Sequence, residues 1–198
     1  DRSGDSKRTF DVFVRGTRNL LEAAVKHGVK KFVHISSAAV HGFRHKSRIA
    51  DESTPLRFSL DSYVRGKIES EKVVMSYARQ LPVVILRPTL IYGPFSVDWV
   101  SNIVERLRNR TVTLIGEGKL ANMVFVDDVV DAILLAIEKD EANGKAFIIN
   151  NDEDKVLWRD YVQHYSSILG IPPRSISDCN RIAFNLSKSI SLFKDSVA

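Results

Sequence analysis

The chain has 198 residues, 44% of them hydrophobic and 27% charged, enough for one good core and short for two full domains. Its 29 Lys+Arg against 24 Asp+Glu leave a net charge of +5, spread thinly. The densest basic runs, "FRHKSR" (43–48) and "RLRNR" (106–110), are not interleaved with stacking aromatics, so they read as solvated surface and no nucleic-acid partner is expected. A single cysteine, Cys179, excludes an internal disulfide framework and fits a reducing, cytoplasmic setting. No run of 18 apolar residues occurs, since "VVDAILLAI" is interrupted by Asp131, so no membrane span is expected. The opening "DRSGDSKRTF" lacks the apolar stretch of a signal peptide.

In chain order, apolar residues from Thr9 to His27 recur at helical spacing, and Gly28 stands where a left-handed cap would end the helix. "KKFVHISS" then reads as a short buried strand. Asp61 or Ser62 can cap the next helix, whose Ile68, Val74 and Ala78 share a side, and Pro82 breaks it. "VVILRPT" is a second buried strand, closed by the turn-like "YGP". Helix and near-continuous apolar strand alternate, which argues for a parallel sheet covered by helices.

Beyond Pro94 the rhythm changes. Val100, Ile103, Val104 and Leu107 make a helix face, and "TVTLIG" and "NMVFV" are short strands on either side of "GEGK". A helix from about Asp127 ends near "NGK", "AFIIN" is a strand, and Trp158 to Leu169 is a helix capped by Gly170. The tail "RIAFNLSKSISLF" is weakly helical.

Tyr63 and Lys67 stand four residues apart, so both side chains lie on one helix face and can address one point. A phenol ordinarily titrates near 10, and an ammonium close by favours the phenolate by roughly 1–3 pH units, which makes tyrosine a workable acid/base for a hydroxyl or carbonyl. Ser36 and Ser37 end the first strand, where open α/β sheets bind ligands, although both could merely cap loop backbone. The five histidines and the acids show no metal-ligand spacing of the His-Glu-x-x-His kind, so no metal is expected.

"GTRNLLEAA", "KKFVHISSAAVHG", "SYVRGKIESEKVV", "VVILRPTLIYGP" and "MVFVDDVVDAILLAIE" stand in an order and spacing that resembles the extended short-chain dehydrogenase/reductases, the group of nucleotide-sugar epimerases and dehydratases and 3β-hydroxysteroid-dehydrogenase-like enzymes. The resemblance runs from about Thr9 to Gly170. It implies an α/β fold, a Rossmann-like parallel sheet flanked by helices, with residues 1–95 as its C-terminal half. Residues 96–198 would be mainly a small mixed α+β substrate-binding region, with one strand near 145–150 returning to the sheet. It further implies a cofactor, NAD or NADP, and a small-molecule substrate. Ser37, Tyr63 and Lys67 match the family's catalytic positions. Ser36, Tyr63, Lys67, Pro88, Thr89 and Leu90 would meet the cofactor, the last three beside the nicotinamide. Hydride would pass between a substrate carbinol carbon and the nicotinamide, with Tyr63 moving the proton. Asp127 and Asp128 would be helix-capping groups.

The chain departs from that pattern in several places. No Gly-x-Gly-x-x-Gly or Gly-x-x-Gly-x-x-Gly turn for the pyrophosphate occurs, nor the acidic residue for the adenosine ribose. The resemblance begins just before the fifth strand, so about 90–100 upstream residues of a complete Rossmann half are expected elsewhere. Phe13 stands where the family's "vNvxGT" block has asparagine, which argues against a proton relay at that position. Ala38 and Ala39 follow Ser37 where sugar dehydratases of the family tend to carry an acidic pair, and Leu90 and His41 replace an asparagine and a tyrosine. "LANMVFV" lacks the arginine that often precedes this strand in nucleotide-sugar enzymes. These departures favour a dehydrogenase or reductase acting on a less polar alcohol or ketone. The alternative is a catalytically inactive family fragment serving as an interaction or scaffold module that buries its sheet edge against a partner. A homodimer is also implied, with Phe13, Val14, Val73 and Tyr77 as contact candidates that core packing would equally explain.

Overall fold

A computed structural model describes residues 6–42, 50–114, 119–151 and 155–175. The chain divides into two units, residues 1–91 with 123–151 and residues 92–122 with 152–198. "FRHKSR", most of "GEGK", Cys179 and the weakly helical tail lie outside the described residues.

In the first unit the N-terminal helix is interrupted: α1 (Ser6–Phe10) and α2 (Gly16–Lys26) flank a π-helical turn over Asp11–Arg15. α2 buries Thr17, Leu21 and Ala24, one stripe at helical spacing, and Gly28 follows at φ 64°, the left-handed region that suits a residue without Cβ. α3 (Ser62–Ser76) starts at Asp61, whose carboxylate accepts from the Tyr63 and Val64 amides at 2.8 and 3.4 Å. Ile68 and Val74 are buried on it; Ala78 falls in the exposed turn beyond.

Three parallel strands form the sheet, in the order β1 (Phe32–Ile35), β2 (Val83–Pro88), β6 (Ala146–Ile149). β2 lies in the middle, and all six of its residues are buried. Val83 and Ile85 pack with Leu21, Val73 and Val74, while Val84 and Leu86 pack with Ala136 of α5 (Val126–Glu138). Helices therefore cover both faces, as parallel strands require. Each fully buried Val, Leu or Ile here contributes about 1.5–3 kcal/mol. β1 is only half-buried in three of its four residues and β6 in all four, because these are the two edge strands of the sheet among the described residues. β2 ends on Pro88, which has no N–H to give a neighbouring strand. Val14 and Val73 sit in the core and Tyr77 packs on it, so these dimer-contact candidates are taken up by packing within the unit.

Two-residue and three-residue pairings complete the architecture. β3 (Leu90–Tyr92) pairs with β5 (Met123–Phe125), and β4 (Thr113–Leu114) runs parallel with β7 (Arg174–Ser175), so β4 and β5 do not pair with each other. In the second unit α4 (Asn102–Arg108) buries Ile103 and Leu107. α6 (Trp158–Leu169) ends at Gly170, which is left-handed at φ 65°. Tyr161 of α6 is ringed by Tyr92, Trp158 and Tyr165, and its hydroxyl donates to the Trp99 carbonyl at 2.7 Å.

Candidate active site

The Asp61 cap fixes the first turn of α3, and Tyr63 and Lys67 then fall on one face, one turn apart. The Lys67 Nζ lies 5.8 Å from the Tyr63 ring centroid and donates to the Ile35 carbonyl at 2.7 Å. Burial pulls the Lys67 amine below its usual range, and the Glu71 carboxylate opposes that shift. Tyr63 is 39% exposed, while Lys67 beside it is half-buried.

Ser37 is extended (φ −156°, ψ 144°) and its Oγ accepts from the Ala39 amide at 3.2 Å, capping the short 3-10 turn Ala38–His41. The capping role that sequence reasoning allowed for it is therefore present, and Ser37 is hydrogen-bonded to neither Tyr63 nor Lys67. That bond uses a lone pair of the hydroxyl and leaves its proton free to be donated. Ser36 is 4% exposed, and its Oγ has no hydrogen-bond partner among the described residues. A buried hydroxyl without a partner costs about 1–3 kcal/mol. Pro88 is buried at the end of β2. Thr89 is tied to β6 and its C-terminal flank by its amide to the Ile149 carbonyl (3.0 Å) and its hydroxyl to Asn150 Oδ1 (2.9 Å). Leu90 opens β3 half-buried. Asp127 and Asp128 occupy the first turn of α5, where negative charge suits the helix dipole, but α5 has no side-chain cap.

Beneath the pair lies a buried polar layer that sequence reasoning missed. Arg87 grips Glu71 through Nε–Oε1 at 3.0 Å and Nη2–Oε2 at 2.7 Å, and its Nη1 lies 3.2 Å from His41 Nε2. Arginine only donates, so His41 Nε2 accepts; the histidine is a packed partner of Arg87. Ser70 Oγ gives its one proton to the Lys67 carbonyl at 2.8 Å, so His34 Nε2, 3.1 Å away, is the donor to Ser70. Burial first and the Lys67 charge second push the His34 imidazole down to about 4, with Glu71 opposing. The available signal was spacing: Glu71 is four residues beyond Lys67 and so on the same face. Phe13, singled out in the sequence as the replacement of an asparagine, packs against the pair: its ring centroid lies 4.8 Å from Lys67 Nζ and 5.5 Å from that of Tyr63.

A parallel sheet with helices on both faces, as this unit forms, has counterparts among known proteins. The model of the NAD dependent epimerase/dehydratase family matches residues 1–150. The chain belongs to this family. Among relatives, it is 32% identical to the human sterol-4-alpha-carboxylate 3-dehydrogenase, decarboxylating, over 79% of this chain and 44% of the relative. It is likewise 32% identical to the 2-alkyl-3-oxoalkanoate reductase of Shewanella oneidensis, over 86% and 48%. Of solved structures, DesIV, the dTDP-glucose 4,6-dehydratase of Streptomyces venezuelae with NAD and TYD bound, superimposes with a TM-score of 0.73 at 27% identity, over 88% of this chain and 56% of DesIV. The chain thus spans about half the length of the family members it matches. The Rossmann-like sheet expected from the five sequence blocks is the fold observed.

Proposed function

We propose that the chain carries the acid/base half of an NAD(P)-dependent oxidoreductase or epimerase acting on a hydroxyl or carbonyl, with a lean towards a dehydrogenase or reductase. The observation that carries it is the Tyr63–Lys67 pair: an exposed tyrosine beside a half-buried lysine, one turn apart on a helix. Tyr63 would pass the proton to or from the substrate oxygen. Lys67 would stand beside it as the fixed positive charge, and its remaining N–H bonds suit ribose hydroxyls. Ser37, its lone pair already held by Ala39, would donate its proton to the same substrate oxygen.

The residues fit one end of the dinucleotide. Lys67, the Ser36 hydroxyl, which has no partner among the described residues, and Pro88–Leu90 would hold the nicotinamide riboside, while the sequence offers no glycine-rich turn to the pyrophosphate. When bound, NAD(P) supplies hydride transfer at the nicotinamide ring. The lean to a reductase rests on Ala38, Ala39 and Leu90, apolar residues in place of an acidic pair and an amide, and is in keeping with the sterol dehydrogenase and oxoalkanoate reductase relatives.

The test is a titration of the chain with NADH and with NADPH, following nicotinamide fluorescence, beside the Tyr63→Phe/Lys67→Ala double variant. Saturable binding that weakens in the variant supports the reading. No binding, or equal binding by both proteins, overturns it for this chain.

A further inference from the structure

We propose that Phe13 is a positioning residue of the Tyr63–Lys67 pair: its ring holds the phenol and the ammonium in place by aromatic contacts where a polar side chain would hold them by hydrogen bonds. The inference rests on the reading of that pair as the acid/base centre, but its geometry stands independently. The Phe13 ring meets the Tyr63 ring almost perpendicularly, at 82° and 5.5 Å between centroids. The same ring lies 4.8 Å from the Lys67 Nζ, within the range in which a ring face attracts a cation. One aromatic side chain therefore touches both members of the pair.

Two features keep it there. Gly66 lies on α3 between Tyr63 and Lys67, and a Cβ at that position would come within 2.8 Å of Phe13 Cδ2, closer than real contacts allow. The ring fills the space that this glycine leaves. Phe13 itself belongs to the π-helical turn Asp11–Arg15, a wide turn that shifts the register of the side chains beyond it.

The ammonium then has distinct neighbours on its different sides. The Ile35 carbonyl accepts one of its protons and the Phe13 ring covers another side. The ring attracts the charge but offers no hydrogen bond and sheds water. Replacing it with leucine removes the attraction and keeps the site dry. Replacing it with asparagine provides an acceptor and admits water. The two substitutions thus act on Lys67 in opposite directions.

The experiment is an NMR titration of the lysine ε-methylenes in the cofactor-free chain, with Lys67→Arg identifying the Lys67 signal. Phe13→Leu is expected to raise the neutral fraction of Lys67 about two- to five-fold at a fixed pH below its midpoint, the loss of one cation–π contact. Phe13→Asn is expected to lower that fraction. Shifts of the same sign in both variants, or none in either, would reduce Phe13 to packing and overturn the proposal. Should Phe13→Asn fail to fold, Phe13→Leu decides alone, an unchanged titration being the adverse result. Because no cofactor is present, a failure here is distinct from a failure of nicotinamide binding.

Discussion

Arg87 and Glu71 form a two-bonded ion pair with both side chains nearly sealed from water, the arginine 9% and the glutamate 3% exposed. The pair ties the middle strand of the sheet to α3, four residues beyond Lys67. Removing one partner leaves an uncompensated buried charge. Arg87→Met and Glu71→Gln are each expected to cost about 3–5 kcal/mol in urea unfolding, whereas the Arg87→Met/Glu71→Leu double variant should regain most of that. Additive losses in the double variant would contradict this.

Acid should weaken the fold through His34. The unfolded chain takes up a proton on this histidine near pH 6.5, and the folded chain only near 4, because of burial and then the Lys67 charge. Between those values the unfolded state binds more protons, so stability falls as the pH drops through that window, by on the order of 3 kcal/mol. His34→Gln keeps a donor for Ser70 and removes the titration. Its urea midpoint should vary less between pH 6.5 and 4 than that of the parent chain; parallel curves would disprove the assignment.

Asp61→Ala removes the carboxylate that receives the Tyr63 and Val64 amides. A loss of about 1 kcal/mol is expected, with faster amide exchange at Tyr63 and Val64 than in the middle of α3. Uniform exchange along the helix would mean that the cap does not anchor its first turn.

Gly66→Ala sets helix propensity against space. Alanine favours the helix by about 1 kcal/mol, but the new methyl meets the Phe13 ring, and overpacking typically costs about 1–3 kcal/mol. The net expectation is destabilisation, measured by thermal unfolding, with a moved Phe13 ring resonance. A more stable variant with an unmoved ring would show that Phe13 can yield without cost.

What could be read beforehand follows from how far each feature depends on local chain geometry. The apolar run ending in "ILRP" became the fully buried middle strand, since a strand covered on both faces needs no polar alternation. Tyr63 and Lys67 could be paired from their spacing because a helix fixes side chains one turn apart. β3, β4, β5 and β7 are two or three residues long, too short to carry a period, so their partners were invisible. The position of Phe13 was marked by the asparagine it replaces, but its ring contacts with the pair were not legible, because the π turn over Asp11–Arg15 breaks the helical count. Arg87 and Glu71 lie 16 residues apart, on a strand and a helix, and only packing brings them together.

Pro88 has one more effect. In the parallel register Ile35 stands opposite Leu86, and the Ser36 amide already donates to the Leu86 carbonyl. The next rung would need an N–H from residue 88 to reach the Ser36 carbonyl, and an imino acid has none to give. The end of the β1–β2 hydrogen-bond ladder at Ser36 is therefore set covalently rather than by a balance of weak forces. Neither cooling nor tighter packing can supply that hydrogen bond, so the Ser36 carbonyl is left out of the β1–β2 ladder by the covalent structure of residue 88.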